Sequence, residues 1–169
     1  MATASSSSNE LRKKIRLAII LTIIGLIVSG ITAFPLLAEL RILLHFKHLL
    51  PSFLVEWWVK VRTAIKYTND NYPLVLYGYD WLGFAHFLIA LAFFGPLRDP
   101  IKNQWVVQWG MIASALTIVM ALVAEPLRDI PFFWALVDAV IGLGAFVILW
   151  TCNKWIEALK AKESNFQSI

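Results

Sequence analysis

Four long apolar runs, separated by polar and charged stretches, dominate the chain. They cover residues 17–34, 81–97, 104–124 and 130–153. The first run holds 18 residues without a charge, and the third holds 21 without an ionisable group. Because a helix needs about 20 apolar residues to cross a bilayer, the pattern predicts four transmembrane helices. The connections between the last three runs are short, which favours antiparallel neighbours. We therefore expect an all-α, four-helix membrane bundle over residues 17–153.

A long amphipathic segment, residues 35–79, separates the first two predicted spans. Within 52–66, apolar residues such as Leu54, Trp58 and Ile65 recur at helical spacing, while most charges fall on the other side. This pattern is typical of a helix that lies at the membrane interface. We expect a shorter companion helix before Pro51, and a turn at 68–73, where Asn, Asp and Pro cluster.

The two ends of the chain are polar. Residues 1–16 are rich in serine and end in a basic cluster, and residues 154–169 carry three lysines. A basic stretch before an apolar run is also typical of a secretory signal peptide. Its apolar core is shorter than 18 residues as a rule, so we interpret 17–34 as the first span and predict two cytoplasmic tails.

Composition agrees with a membrane protein. The chain is 59% apolar and 15% charged, whereas soluble domains have roughly 45–50% apolar and about 25% charged residues. One cysteine, Cys152, excludes an internal disulfide. The net charge of +4 alone would favour a nucleic-acid binder, but the basic residues flank the apolar runs. We therefore expect the lipid bilayer, and no nucleic acid, as a partner.

Basic residues also predict an orientation. With the N-terminus inside, nine lysines and arginines fall on inner segments and six on outer ones. Basic residues concentrate on the cytoplasmic side of membrane proteins. We expect both termini inside and a bacterial inner (plasma) membrane location.

Two ionisable residues lie within the apolar runs, His86 and Asp138. Such residues are costly in a membrane and are candidate sites by default. Both lie about 10 Å below the predicted outer boundary, at 1.5 Å per helical residue. Small residues share their helix faces, which predicts that both point into the bundle, with Glu125 at its outer mouth. The pair could hold the helices together, form a ligand or proton site, or make no contact.

Metal and haem chemistry find little support in the pattern. His45 and His48 have ligand spacing, but no cysteine or carboxylate nearby completes a metal site. A b-type haem needs two axial ligands facing each other across the bundle, and His86 is the one histidine inside a span. We predict no cofactor, and haem b is the alternative.

Short motifs around the first connection resemble the EXPERA-domain family of sigma-2-receptor-like and emopamil-binding proteins. The matching residues are Glu39-Leu40, Leu50-Pro51, and Asp70 before Tyr72-Pro73-Leu74. The second span then opens with Trp81 and holds His86 where that family carries a glutamate. The resemblance implies a helical bundle in which Glu39 and Asp70 contact a sterol-like amine. The chain is also similar to bacterial four-helix membrane proteins, a similarity that carries no activity with it.

Two classes of function follow. The first is a non-catalytic protein that binds a lipophilic molecule, or a partner in a homo-oligomer or larger membrane complex, through an outward-facing pocket near His86, Asp138 and Glu125. The second is a membrane-embedded isomerase or hydrolase that uses these groups as acid and base. Asp80, at the start of the second span, is a further candidate. Without a catalytic signature, we favour binding.

Overall fold

A computed structural model describes residues 2–167 of the chain and the side chains of residues 8–164. This described part is helical, without strands, which confirms the predicted all-α class. The helices are α1 (Ala2–Ala33), α2 (Leu36–His45), α3 (Ser52–Asn71), α4 (Pro73–Ala92), α5 (Phe94–Arg98), α6 (Gln104–Ala124) and α7 (Phe132–Gln167). Short 3₁₀ turns occupy Lys47–Leu49 and Pro126–Arg128.

Four stretches of the described residues are long and apolar enough to cross a membrane, as predicted. They are Ser8–Ala33, Pro73–Arg98, Gln104–Arg128 and Phe132–Ser164. Only 22–28% of the most apolar part of each is buried, so most of this apolar surface faces outward. In water that exposure would be unfavourable, whereas in lipid it is the expected arrangement.

The helices are longer than the apolar runs that predict them. α1 begins at Ala2 and α7 continues to Gln167, so polar stretches predicted as tails are helical within the described residues. Hydropathy identifies the part of a helix that can lie in lipid. The helix itself continues as far as its backbone hydrogen bonds continue, also through polar residues. α4 likewise begins at Pro73, eight residues before the apolar run.

The connection between the first two spans forms two helices, as predicted, and the helix break predicted within 68–73 is confined to Tyr72. α3 continues to Asn71, and its last turn is held by the bond from Tyr72 N to Thr68 O (2.7 Å). The side chain of Asn71 donates to Tyr67 O at 2.8 Å, which satisfies a carbonyl near the helix end. Pro73 then starts α4 at the position where a proline is tolerated.

The chain divides into two compact units. The first consists of residues 1–24 and 91–169. Here α6 packs against α7 at small residues: a Cβ added at Gly142 would lie 2.9 Å from Ile118 Cγ1 and 3.2 Å from Ser114 O. A Cβ at Gly110 would lie 2.9 Å from Leu149 Cδ1. Glycine is therefore needed for the two helices to approach this closely.

The second unit consists of residues 25–90. Its close approach joins α1 to α4: a Cβ added at Gly83 would lie 2.8 Å from Ala33 Cβ, and one at Gly30 would lie 3.0 Å from Gly83 O. α2 packs on α3 in the same unit. Gly83, Gly110 and Gly142 lie at helix contacts, as predicted for small residues of their spans, whereas Gly25 in the first span meets nothing within 4 Å.

The sequence Pro-Leu-Arg-Asp occurs twice, at 96–99 and 126–129, and has two different local structures. Asp99 is extended, and its Oδ1 accepts a bond from Lys102 N at 3.1 Å, so it caps the turn before α6. Asp129 instead has a left-handed backbone with φ of 55° after a 3₁₀ turn. Neither carboxylate caps a span directly, because a further turn or linker residue follows each of them.

Candidate functional site

The unit of residues 25–90 contains a pocket of about 350 Å³. The end of α1 and the start of α2 form one wall, and single turns of α3 and α4 form the other. Its lining is mostly apolar: Ala33, Phe34, Pro35, Leu36, Leu37, Ala38, Ile65, Asn69, Leu76, Tyr79 and Asp80. The pocket forms where the end of α1 meets the start of α2 and α2 packs beside α3.

Asp80 is the one acidic residue among these lining residues, and it is half-buried. None of the three ion pairs in the described part of the chain involves Asp80. Asn69 supplies a second polar group, and its Nδ2 donates to Asp70 Oδ1 at 3.2 Å. The pocket therefore offers an apolar surface with a single carboxylate that no cation of the described residues neutralises.

The two carboxylates implied by the EXPERA resemblance lie outside this lining. Glu39 is half-buried in the first turn of α2, one residue after the lining residue Ala38. Asp70 is exposed beside Asn69. Of the three candidate carboxylates in this part of the chain, Asp80 lines the pocket, and Glu39 and Asp70 each follow a lining residue in the sequence.

A second group of carboxylates lies in the unit of residues 1–24 and 91–169. Glu125 follows the last residue of α6, and Asp138 lies in the second turn of α7. Their carboxyl groups are near neighbours, and the Oε2 atom of Glu125 is buried without a hydrogen-bond partner in the described residues. The connection between α6 and α7 is short, and it brings the Glu125 and Asp138 carboxyl groups together.

His86 belongs to the other unit and makes a local bond. Its Nδ1 lies 2.9 Å from Leu82 O, one turn earlier in α4. The imidazole is half-buried. Since His86 and Asp138 are in separate compact units, their pairing stays a prediction.

His45 and His48 are both exposed, at the end of α2 and in the following 3₁₀ turn. His45 contacts the ring of Phe46 edge-on, with centroids 5.2 Å apart. Within the described residues, no three histidine, cysteine or acidic side chains are grouped to hold a metal ion. His45 and His48 are therefore surface residues near basic side chains.

A polar cluster joins the start of α6 to the middle of α7, and the sequence analysis does not predict it. Gln104 Nε2 donates to Asn153 Oδ1 at 2.9 Å, and Asn153 Nδ2 donates to Glu157 Oε1 at 2.9 Å. Lys154 Nζ lies 3.2 Å from Glu157 Oε2. The available signal was Asn153 at the end of an apolar run, with a glutamate one turn later.

No family model, curated protein or solved structure matches this chain. The EXPERA resemblance therefore stays a prediction that rests on the short motifs between Glu39 and His86.

Proposed function

We propose that this chain is a multi-pass membrane protein that binds a small lipophilic cation in the pocket of residues 25–90. The observation that carries the proposal is Asp80, a half-buried carboxylate in a mostly apolar lining, which forms no ion pair within the described part of the chain. Ligand sites combine apolar walls with a few placed polar groups. A buried carboxylate that lacks a protein cation favours a ligand that brings one.

The size and polarity of the pocket define the ligand further. At about 350 Å³ it is near the lower end of the range for small-molecule sites. An aliphatic chain fits the leucine, isoleucine and alanine lining, and an amine can meet Asp80. Charge-assisted hydrogen bonds are about twice as strong as neutral ones, so the amine supplies selectivity and the chain supplies apolar contact.

A matched pair of probes tests this proposal. The full chain in lipid nanodiscs is titrated with N,N-dimethyldecylamine and with decanol, and retention is measured by native mass spectrometry. We expect saturable binding of the amine, and roughly 10- to 100-fold weaker binding after Asp80→Asn, since a hydrogen bond to a charged group contributes about 1.5–3 kcal/mol. Binding of decanol should not change.

Glu56→Gln is the control, because Glu56 is an exposed carboxylate of the same unit that does not line the pocket. Equal retention of the amine by both variants would contradict the proposal. Retention of no probe, together with a copurifying subunit or a defined homo-oligomer, would instead favour an accessory role in a membrane complex.

The contact between Glu125 and Asp138 favours a second candidate, acid–base catalysis in the membrane. Two carboxyl groups that hold one proton between them can supply an acid and a base at one place. A lipophilic carbodiimide, which modifies protonated carboxyl groups, is the probe. We expect labelling that disappears in the Glu125→Gln/Asp138→Asn double variant and persists in Asp80→Asn. A wild-type chain without labelling in this pair would contradict this candidate.

We also propose that the four spans form a bundle in a bacterial inner membrane, with both termini inside. Nine basic residues on the predicted inner segments against six on the outer ones support this orientation. The close contacts within each unit, at Gly83 and at Gly142, are of the kind that membrane bundles use.

A further inference from the structure

We propose that the reversal between α2 and α3 is a docking site for the head groups of anionic phospholipids. We define the tip as residues 41–49, which comprise the second half of α2 and the 3₁₀ turn after it. It joins two helices that lead back to membrane-spanning stretches, α1 and α4. This inference is independent of the ligand pocket, whose lining contains no residue of the tip.

Positive charge at the tip lacks an acidic partner. Arg41 and Lys47 are exposed, and no residue from 41 to 49 is acidic. None of the ion pairs of the described residues involves the tip. The nearest acidic residues along the chain are Glu39 and Glu56, on either side of it. Guanidinium and ammonium groups without carboxylate partners are suited to bind phosphate.

Two exposed histidines add hydrogen-bond donors to the same surface. His45 lies one helical turn after Arg41, and His48 follows Lys47 directly. An imidazole N–H can donate to a phosphate oxygen. The tip therefore presents four side chains that can bind an anionic head group.

Large apolar side chains accompany these donors. Leu49 is 71% exposed, Ile42 is 61% exposed and Phe46 is 49% exposed. Exposed apolar groups beside basic groups match a membrane interface, where the former enter the head-group and acyl boundary while the latter remain at phosphate level. A purely electrostatic partner would leave this apolar surface in water, so we assign the tip to anionic lipid instead of an acidic protein.

The rest of the connection lacks this combination. On α3, the exposed cations share their surface with Glu56 and Asp70, and Lys60 Nζ lies 5.9 Å above the ring of Trp57. Arg62 and Lys66 are exposed, carry the same total charge as Arg41 and Lys47, and lie on the same connection. They provide a matched control.

Hydrogen exchange of the full chain in nanodiscs tests the proposal. Nanodiscs of phosphatidylcholine are compared with nanodiscs that contain phosphatidylglycerol as well, and peptides covering the tip are followed by mass spectrometry. We expect slower exchange at the tip in the anionic nanodiscs, by roughly 5-fold or more, since each basic residue near an anionic surface adds about that factor. Arg41→Gln/Lys47→Gln should abolish this difference.

Arg62→Gln/Lys66→Gln should retain the slower exchange at the tip. Phe46→Ser/Leu49→Ser should also reduce it, because the apolar contact is lost while the charge stays. Equal exchange in the two lipids, or equal loss in both charge variants, would overturn the proposal. Protection by added polyglutamate in phosphatidylcholine nanodiscs, without protection by phosphatidylglycerol, would assign the tip to an acidic protein and overturn it as well. Circular dichroism verifies that each variant keeps its helix content.

Discussion

Asn153 connects two helices through bonds that use both ends of its amide. It is 7% exposed, accepts a hydrogen bond from Gln104 Nε2 and donates one to Glu157 Oε1, each at 2.9 Å. A buried amide is costly if a donor or acceptor loses its partner, whereas an exchange of both partners for apolar groups costs little. This asymmetry makes the pair a sensitive probe of packing between α6 and α7.

Asn153→Ala should lower the free energy of unfolding by about 1–2 kcal/mol, because Gln104 Nε2 is left without its acceptor. The double variant Gln104→Leu/Asn153→Leu should unfold closer to the wild type. Reversible unfolding in mixed micelles, followed by circular dichroism, measures both. Gln108→Leu, an exposed position one turn after Gln104, is the control. A double variant less stable than Asn153→Ala would contradict the expectation.

The sequence predicts candidate site residues better than it predicts the residues that contact them. A charge in an apolar run reveals Asp138, but its contact with Glu125 depends on how α6 and α7 meet after the turn at Pro126–Arg128. Asp80 is visible as a boundary carboxylate, yet its pocket exists only because α2 folds back beside α3. The spacing of residues along a helix predicts which side chains share a face, whereas packing decides which helix that face contacts.

Among the elements, α6 and α7 form a hairpin whose contact depends on one glycine of a closely spaced pair. A side chain at Gly142 would press against Ile118 and the backbone of Ser114, whereas one at Gly144 would meet nothing within 4 Å. The sequence predicts small residues at helix contacts, but both glycines fit that description. The crossing point decides which of them is needed.

Gly142→Leu should destabilise the protein by about 1–3 kcal/mol, since the added side chain forces the helices apart. Gly144→Leu adds the same atoms two residues along and should have little effect. Unfolding in mixed micelles compares the two variants. Equal losses would indicate that Gly144 also lies in a contact, for example with a second copy of the chain.

The boundaries of the elements show where local sequence signals fail. Thr68–Asn71 has the composition of a turn, yet it remains helical because Tyr72 N and the Asn71 side chain satisfy carbonyls of the last turn. The opposite happens at Pro51, where the predicted helix break is correct and α3 starts at Ser52. Proline changes what the backbone can do, whereas asparagine and aspartate only shift a preference.

For the whole molecule, the ends of the first and last spans lie together. Arg12, before the first apolar run, forms an ion pair with Glu163, near the end of α7. An even number of spans, such as the four predicted, would return the chain to the side of the membrane from which it started, and this ion pair fits that topology. This ion pair does not determine which side of the membrane the termini face, because a chain inserted with the opposite orientation would have the same internal contacts.

The distribution of basic residues predicts the orientation of the chain in the membrane, and a matched pair of variants can test this prediction. The predicted inner segments carry nine basic residues and the outer ones six. Replacing Arg12, Lys13, Lys14 and Arg16 with glutamine removes four of the nine inner charges, so the inner side keeps five and the excess is lost. We expect mixed orientation, measured in a bacterial host with C-terminal fusions to a fluorescent protein, which reports the inside, and to alkaline phosphatase, which reports the outside.

The wild-type chain should give fluorescence and no phosphatase activity at its C-terminus. Replacing Arg41, Lys47, Arg62 and Lys66 with glutamine removes the same number of charges from the outer side, and should leave the orientation unchanged because the bias increases. If this control gives mixed orientation while the N-terminal variant does not, the chain inserts with both termini outside. The connection that carries the ligand pocket and the tip would then face the cytoplasm, and a ligand or lipid would reach it from that side.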